Sequence, residues 1–263
     1  LYQNILDEFS SPGFHVEAEE LSIPMMTRIE EVEEKREYLL SRYLKPPKVV
    51  VFIGDPAWLV CQPLFDKEWK DIPTVICYSR DSMPRNLENF VNKDFLGEGK
   101  FVLTEVATAG YNLTVIKQPF YVKNTIDLIR RLQPEVKKIA LISDDRYISA
   151  MVREEVCGVL EKDFPELKLD LLTSIDISRE KLLDTLMGYS REVGIIYRSW
   201  FVGKKQSESH YLSDNLQKII YGFVDAPVFT LTEMDMETGA FSGGYFISAS
   251  TFCYGKNGKR KTG

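Results

Sequence analysis

The sequence predicts an α/β fold in which parallel sheets flanked by helices form two lobes. Three short apolar runs carry this prediction, and they lie at residues 48–56, 137–145 and 192–199. Each run is rich in Val and Ile and ends abruptly in small or charged residues. Such runs are typical of strands buried on both faces, which occur in parallel sheets covered by helices. Because the polar strand ends then gather along one edge of each sheet, where open α/β folds bind ligands, we expect a ligand-binding protein.

The first half of the chain alternates between helical and extended patterns. Apolar residues at positions 1, 5, 6 and 9 share one helical face, and residues 15–21 alternate as a strand. Residues 25–44 have the spacing of an amphipathic helix with an acidic, solvated outer face, which Pro46 and Pro47 end. The patterns that follow predict, in order, a helix over 57–69, a strand over 73–79, a helix over 86–96 and an extended segment over 103–116.

The second half of the chain has the same rhythm. In order, the apolar spacing predicts a helix over 121–133, a strand over 137–143, a helix over 148–163, a strand over 167–173, a helix over 179–189, a strand over 193–199, a helix over 211–221 and a strand over 227–232. Strands separated by helices of this length imply right-handed crossovers and parallel pairing. The last residues, 257–263, are basic and Gly-rich, and we expect a disordered tail.

Two passages without a helical pattern predict how the chain divides into lobes. They lie around residues 110–120 and 231–244. Such passages suit a chain that crosses from one lobe to the other and returns. We therefore assign residues 1–117 plus 231–263 to the first lobe and residues 118–230 to the second, with hinges near 112–120 and 229–243.

Composition excludes several classes of protein. A net charge of −6 and a pI near 5.2 argue against nucleic-acid binding, which favours a basic surface. The sequence contains no apolar run of about 18 residues that could span a membrane. With two histidines and four scattered cysteines, zinc binding and His-driven catalysis are poorly supplied, so we predict no metal and no cofactor. We interpret the cysteines as small buried apolar residues, with a disulfide as the open alternative.

Several segments resemble a known family. Residues 112–120, 128–134 and 138–144, with the later segments 227–232 and 239–248, resemble type I periplasmic binding proteins of the ABC-transporter substrate-binding group. In particular, the chain is similar to the extracytoplasmic sensor region of bacterial histidine kinases, including hybrid two-component sensors. This resemblance implies a non-enzymatic sensor domain that binds a small polar solute between its lobes. The alternative that it leaves open is an ABC-transporter solute-binding protein for an amino acid or sugar.

The resemblance also implies a cellular setting. The chain begins with Leu and shows no signal peptide, so we expect it to be a segment of a longer, membrane-anchored parent, a histidine kinase of the inner membrane with this domain in the periplasm. Members of the family open with a strand, whereas this chain begins in what looks like the first helix. We therefore expect an incomplete first lobe whose uncovered sheet edge could recruit a second copy to form a homodimer.

Residues that follow the predicted strands are the candidates for contacting a small-molecule ligand. Hydroxyl groups, guanidinium groups and aromatic faces suit a small polar ligand, because they give directional hydrogen bonds and a stacking surface. The predicted ligand-binding residues are Asp55, Trp58, Ser79, Arg80, Asp144, Tyr147, Arg198, Trp200, Glu233 and Tyr245.

Structural alternatives exist for several of these candidates. Asp55 could instead cap the helix that follows it, and Trp58 could be an ordinary packing residue. Arg80 and Arg198 would favour a carboxylate or phosphate group, but an arginine at a strand end can also form a surface ion pair.

Enzyme signatures are absent from the sequence. It contains no GxGxxG after the first strand and no GxxxxGK[ST], GxSxG or HExxH motif. Carboxylates at Asp55, Asp81, Asp144 and Asp145 could hold Mg²⁺ only if one cleft on one sheet brought them together. We therefore predict a binding domain without catalytic residues.

Overall fold

Two parallel sheets organise the residues that the computed structural model describes. These residues are 15–23, 26–95, 99–201, 226–236 and 241–247, with the single positions 216, 219, 220, 222, 224 and 239. The predicted helix over 1–10, most of the predicted helix over 211–221 and the predicted tail lie outside them. The chain separates into two compact units, one of residues 19–119 and the other of residues 120–263 with 1–18.

The unit of residues 19–119 is built around a three-stranded parallel sheet. Its elements in chain order are α1 (Ile29–Arg42), β1 (Val50–Ile53), α2 (Asp55–Phe65), β2 (Thr74–Ser79), β3 (Ser82–Pro84), α3 (Leu87–Val91), β4 (Phe101–Leu103), α4 (Thr104–Ala107) and β5 (Leu113–Lys117). The sheet has the order β1-β2-β5, and every pair is parallel. β3 and β4 form a separate antiparallel pair. The predicted extended segment over 103–116 therefore contains the short helix α4 before its strand begins.

Only one face of this sheet is fully covered among the described residues. On that face Phe52 of β1 packs against two rings of α2, with ring centroids 6.0 Å from Trp58 and 5.8 Å from Phe65. On the opposite face Val51 is 37% exposed and Ile53 is 47% exposed. The prediction that this strand is buried on both faces is therefore wrong, because β1 is an edge strand with helical cover on one side.

The segment of residues 15–23 does not form the predicted strand over 15–21. No strand pairs with it among the described residues, and its side chains are mostly exposed. It is instead held against α1 through Glu19, whose carboxylate accepts a hydrogen bond from the Tyr43 hydroxyl at 2.9 Å and pairs with Arg42.

The unit of residues 120–263 contains a four-stranded parallel sheet. Its elements in chain order are α5 (Val122–Leu132), β6 (Lys138–Ser143), α6 (Tyr147–Asp163), β7 (Lys168–Thr173), α7 (Arg179–Met187), β8 (Val193–Tyr197), β9 (Val228–Thr230) and α8 (Glu233–Met236). The strand order is β7-β6-β8-β9, and every pair is parallel. This arrangement confirms the predicted α/β fold with parallel sheets flanked by helices.

Helices cover both faces of this second sheet. Alternate residues of β6 divide between two apolar clusters: Ile139 and Leu141 pack with α5 and α6, whereas Ala140 and Ile142 pack with α7. The residues of β8 are all buried. For β6 and β8 the prediction of strands buried on both faces is therefore confirmed, and the burial of alternating side chains on two sides explains why the residues between the ends of each strand are apolar.

The segment of residues 241–245 packs against β8 and β9 of the second sheet. The ring of Phe241 lies 5.4 Å from that of Tyr197, and the backbone N–H of Thr230 donates to the carbonyl of Gly243 at 2.9 Å. A Cβ on Gly244 would lie only 1.8 Å from the carbonyl oxygen of Thr230, so only glycine allows this close approach. The predicted assignment of residues 231–263 to the first lobe stays a prediction, and residues 248–263 lie outside the described part of the chain. The predicted hinges stay predictions.

The described residues include three of the four cysteines. Cys61 and Cys77 are buried and Cys157 is partly buried, as expected of small apolar residues, whereas Cys253 lies outside the described part. None of the helices in the described residues is both long enough and apolar enough to cross a membrane.

We expect Gly194→Ala to destabilise the second sheet, because an added Cβ in β8 would lie 2.5 Å from Cγ2 of Ile129 and 3.1 Å from Cδ1 of Ile139. Overpacking of this kind costs about 1–3 kcal/mol. Gly158→Ala is the matched control, since its Cβ would enter open space on α6, where alanine stabilises a helix by about 0.5–1 kcal/mol. Urea unfolding measures both, and equal midpoints for the two variants would contradict the close packing of α5 on β8.

Candidate functional site

The carboxyl edge of the second sheet gathers most of the predicted site residues of that unit. Asp144 and Tyr147 follow β6, Arg198 and Trp200 follow β8, and Glu233 follows β9. Because β6, β8 and β9 are parallel neighbours, their carboxyl ends meet at one edge.

Tyr245 also belongs to this unit. Its backbone N–H donates to the hydroxyl of Thr125, in the first turn of α5, at 3.1 Å. Its side chain is exposed. Since α5 runs toward the start of β6, its first turn lies at the carboxyl edge of the sheet.

The strand order reverses between β6 and β8. The helix after β6 lies on one face, where Val152 and Val156 of α6 join the first apolar cluster. Residues beyond β8 lie on the opposite face, where Leu216 and Ile220 join the second cluster. Neighbouring strands whose connections leave toward opposite faces form a topological switch point, and open α/β sheets bind ligands at the carboxyl ends of such strands. The topology therefore identifies the loops that follow β6 and β8 as the expected ligand-binding loops of this sheet.

Asp144, directly after β6, is a fully buried carboxylate with many donors. Its Oδ2 accepts from Nε and Nη2 of Arg146 at 2.9 and 2.7 Å, and its Oδ1 accepts from the backbone N–H of Arg146 at 3.1 Å. The hydroxyl of Ser149 donates to the same Oδ1 at 2.7 Å. Burial alone would raise the pKa of Asp144, but the Arg146 guanidinium and these hydrogen bonds outweigh it and lower that pKa below its ordinary value.

A second hydroxyl extends this network to β8. The hydroxyl oxygens of Ser149 and Ser199 lie 3.0 Å apart, and both residues are buried. Arg153 of α6 donates from Nη1 to the carbonyl of Asp144. Sequence reasoning did not place Ser149, Ser199 or Arg153 in the site. The sequence does show a serine, Ser149, in the first turn of the helix after β6. Its role can be inferred only once the strand order places β8 beside β6.

Trp200 lies three residues beyond the end of β8 and belongs to the second apolar cluster. The residue is buried, and its Nε1 finds no hydrogen-bond partner in the described part of the chain. Buried indole N–H groups are normally hydrogen-bonded, so this donor is a candidate for contact with a ligand. Arg198 is partly buried and its backbone N–H continues the strand ladder by donating to Ile142 at 2.9 Å.

The carboxyl edge of the first sheet, in the unit of residues 19–119, carries Asp55, Ser79 and Arg80. Oδ2 of Asp55 accepts the backbone N–H of Arg80 at 3.3 Å, and the Arg80 guanidinium donates to the carbonyl of Gln118. Asp55 therefore does not cap α2, as its alternative role supposed: it is the first helical residue after Gly54, and no side-chain capping bond forms there. The hydroxyl of Ser79 is buried and donates to the carbonyl of Arg80 at 3.3 Å.

A bulge at the end of β2 directs these side chains. Cys77 pairs with Ile116 and Ser79 pairs with Lys117, so Tyr78 is an extra residue on its strand. Tyr78 has a φ of 60°, in the left-handed region that a residue with a side chain rarely occupies. Bulges next to binding sites re-aim side chains, and strained backbone concentrates at such sites. This distortion makes the carboxyl end of β2 a candidate functional position in the first sheet.

Lys117 is a charged residue of this edge that sequence reasoning missed. Its Nζ lies 3.0 Å from carboxylate oxygens of both Asp81 and Glu105. The hydrogen bonds that its ammonium group donates to these two carboxylates raise the pKa of Lys117. Its position at the last residue of β5 follows from the strand register, which the sequence alone does not supply.

Trp58 lies in the core. It is fully buried, and its ring centroid lies 4.9 Å from that of Tyr111 and 5.4 Å from that of Phe65. These contacts favour the packing alternative for Trp58.

The described residues offer no cluster of three or more His, Cys, Asp or Glu side chains that could hold a metal ion. Asp55 and Asp81 follow strands of one sheet, whereas Asp144 and Asp145 follow a strand of the other. The Mg²⁺ alternative required all four carboxylates on one sheet, and the sheet topology contradicts it.

We expect Asp144→Asn to lose stability in a pH-dependent way. Since the pKa of Asp144 is lower in the folded protein than in the unfolded chain, its carboxylate stabilises the fold above about pH 4, and this stabilisation is lost as the pH falls through the folded-state value. Hydrogen bonds to charged groups contribute about 1.5–3 kcal/mol, so urea midpoints of the variant should lie clearly below those of the original protein at pH 7 and approach them on acidification. Asp163→Asn, which removes a surface pair with Lys123, is the control. A gap for Asp144→Asn that does not change with pH would contradict the buried carboxylate.

Comparisons with known proteins support the fold. No family model and no curated protein sequence matches this chain. Among solved structures, the ABC domain in complex with L-Trp from Streptococcus pneumoniae superposes with a TM-score of 0.52 at 16% identity, over 90% of this chain and 70% of that one. A conserved domain protein from Vibrio cholerae O1 biovar El Tor strain N16961 gives a TM-score of 0.51 at 16% identity, over 92% and 72% of the two chains. The predicted fold class is confirmed: the chain has an α/β, type I periplasmic-binding-protein-like fold with parallel sheets flanked by helices.

Proposed function

We propose that this chain is a non-catalytic domain that binds a small polar solute, in the manner of ABC-transporter solute-binding proteins for an amino acid or sugar. The observation that carries the proposal is the switch point between β6 and β8, where the buried network of Asp144, Ser149 and Ser199 lies at the carboxyl edge. Open α/β sheets bind their ligands at this position.

The chemistry of this edge suits a compact ligand with directional polar groups. Trp200 supplies a buried donor, the serine hydroxyls supply oxygen atoms, and Arg198 supplies a positive charge. A few convergent polar groups on an apolar base are typical of small-molecule sites. The structurally similar domain from Streptococcus pneumoniae was solved in complex with L-Trp, which supports a small-molecule ligand for this fold.

The carboxyl edge of the first sheet, in the unit of residues 19–119, carries candidate residues of its own. The left-handed Tyr78 and the bulge beside it support a functional role for Ser79 and Arg80. The placement of the solute between the lobes and the roles of Asp55, Tyr147, Glu233 and Tyr245 stay predictions.

The sensor role is a finer proposal that rests on the sequence resemblance. In it, the domain is the extracytoplasmic part of a membrane-anchored histidine kinase, and the solute shifts a conformational equilibrium that the kinase reads. The fold suits both roles, and the structural similarity to ABC substrate-binding domains favours the transporter role. The full-length gene distinguishes them: kinase signatures after a membrane helix support the sensor, whereas a lipoprotein signal without a kinase supports the transporter. The predicted homodimer stays a prediction for either role.

Solute binding can be tested by thermal-shift screening of the purified domain against amino acids, sugars and short carboxylic acids, followed by calorimetry on each compound that stabilises it. We expect Trp200→Phe, which keeps the aromatic ring but removes the indole N–H, to weaken binding about fivefold to tenfold, the effect of one lost hydrogen bond. Arg198→Ala should weaken binding of an anionic compound at least as much.

Trp69→Phe is the matched control for this test. Trp69 is also buried, and its Nε1 likewise finds no partner among the described residues, but it belongs to the unit of residues 19–119 and lies between α2 and the start of β2, at the amino end of that strand. Equal affinities for the Trp200 and Trp69 variants would remove Trp200 from the site. A screen in which no compound stabilises the domain would count against the proposed function itself.

A further inference from the structure

The hydrogen-bond network after β6 and β8 has a fixed direction. An ionised carboxylate only accepts hydrogen bonds, so the single O–H of Ser149 is committed to Oδ1 of Asp144 at 2.7 Å. Ser149 can then take part in its 3.0 Å contact with Ser199 only as the acceptor. The O–H of Ser199 must therefore point toward Ser149.

The consequence falls on Ser199. A hydroxyl group has one hydrogen and two lone pairs. With its hydrogen committed to Ser149, Ser199 offers only lone pairs to any further partner. Its position two residues beyond the end of β8, at the switch point, makes a bound solute the natural partner.

We propose that Asp144 and Ser149 make Ser199 an obligate hydrogen-bond acceptor, so that the site selects solutes that present an N–H or O–H donor at this point. This inference rests on the proposed solute-binding function and deepens it. Ser199 would contact the solute, whereas Asp144 and Ser149 are positioning residues that act through it. A solute with an ether oxygen or another acceptor-only group at this point would leave two acceptors facing each other, which costs affinity because neither is satisfied.

Binding of a graded series of compounds tests the inference. Calorimetry compares L-phenylalanine, L-3-phenyllactate, the O-methyl ether of that phenyllactate and 3-phenylpropanoate, which carry an ammonium, a hydroxyl, a methoxy group and hydrogen at the same carbon. The equivalent series built on L-leucine covers an aliphatic skeleton. We expect the ammonium and hydroxyl compounds to bind about tenfold or more tightly than the methoxy and hydrogen compounds of the same skeleton.

Variants separate the relay from a merely structural role. In Ser149→Ala the hydrogen of Ser199 is released and can point to the solute, so we expect the methoxy compound to regain affinity. The ratio of affinities between the donor-bearing and methoxy compounds should then fall toward one. Ser149→Thr keeps the hydroxyl and should restore the discrimination. Ser199→Ala should weaken the donor-bearing compounds while changing the methoxy compound little. Ser190→Ala, an exposed serine before the start of β8, is the control and should leave all affinities unchanged.

The outcomes distinguish the two proposals. Binding that does not depend on the donor group, or discrimination that survives Ser149→Ala, overturns the relay but leaves solute binding intact. Failure of every compound in both series to bind counts against the proposed function and removes the recognition role of Ser199 with it. Hydroxyl-proton NMR of the solute-free protein adds an independent measurement: the relay requires slowly exchanging protons on both serines, and fast exchange of the Ser199 proton would overturn it.

Discussion

A single buried charge determines the local structure of the carboxyl edge in the second unit. Removing an ionised carboxylate from water costs several kcal/mol. A single hydrogen bond or ion pair does not offset this desolvation free energy. Asp144 meets this cost with the guanidinium and backbone N–H of Arg146 and with the hydroxyl of Ser149. These contacts fix the turn between β6 and α6. The same contacts fix the direction of the hydroxyl chain that reaches Ser199, so the requirement for charge compensation and the proposed selectivity have one physical origin.

The sequence predicted the second sheet better than the first, for a reason that the two sheets make clear. β6 and β8 are central strands with helices on both faces, so the residues between their ends must be apolar and the pattern is unambiguous. β1 has an equally apolar sequence, yet Val51 and Ile53 are exposed. Whether a strand is covered on both faces depends on helices supplied from elsewhere in the chain, and a local pattern contains no information about them.

Partners that are distant in sequence explain why the site could be predicted only in part. Residues that follow the strands lie along one edge of each sheet, because parallel pairing alone brings strand ends together. Ser149 and Ser199 meet only because β8 lies beside β6, an order that the sequence does not state. Asp55 shows the same limit: its residue type suits a helix cap, but the backbone N–H of Arg80, 25 residues away, takes its carboxylate instead. Residue type therefore shows what a side chain can do, and topology decides which partner it finds.

The two carboxyl edges differ in what their polar groups already bind. In the first unit Arg80 donates to the carbonyl of Gln118, Asp55 accepts the backbone N–H of Arg80, and the hydroxyl of Thr104 donates to the carbonyl of Arg80. These bonds join side chains to backbone and hold the ends of β2 and β5 in place. In the second unit the hydroxyl chain ends at Ser199, whose lone pairs have no donor among the described residues. An edge whose side chains are committed to backbone supplies shape, whereas an edge that ends in an oriented hydroxyl supplies chemical selectivity. In the proposed function, the second sheet therefore sets, through Ser199, which polar group of a solute is accepted.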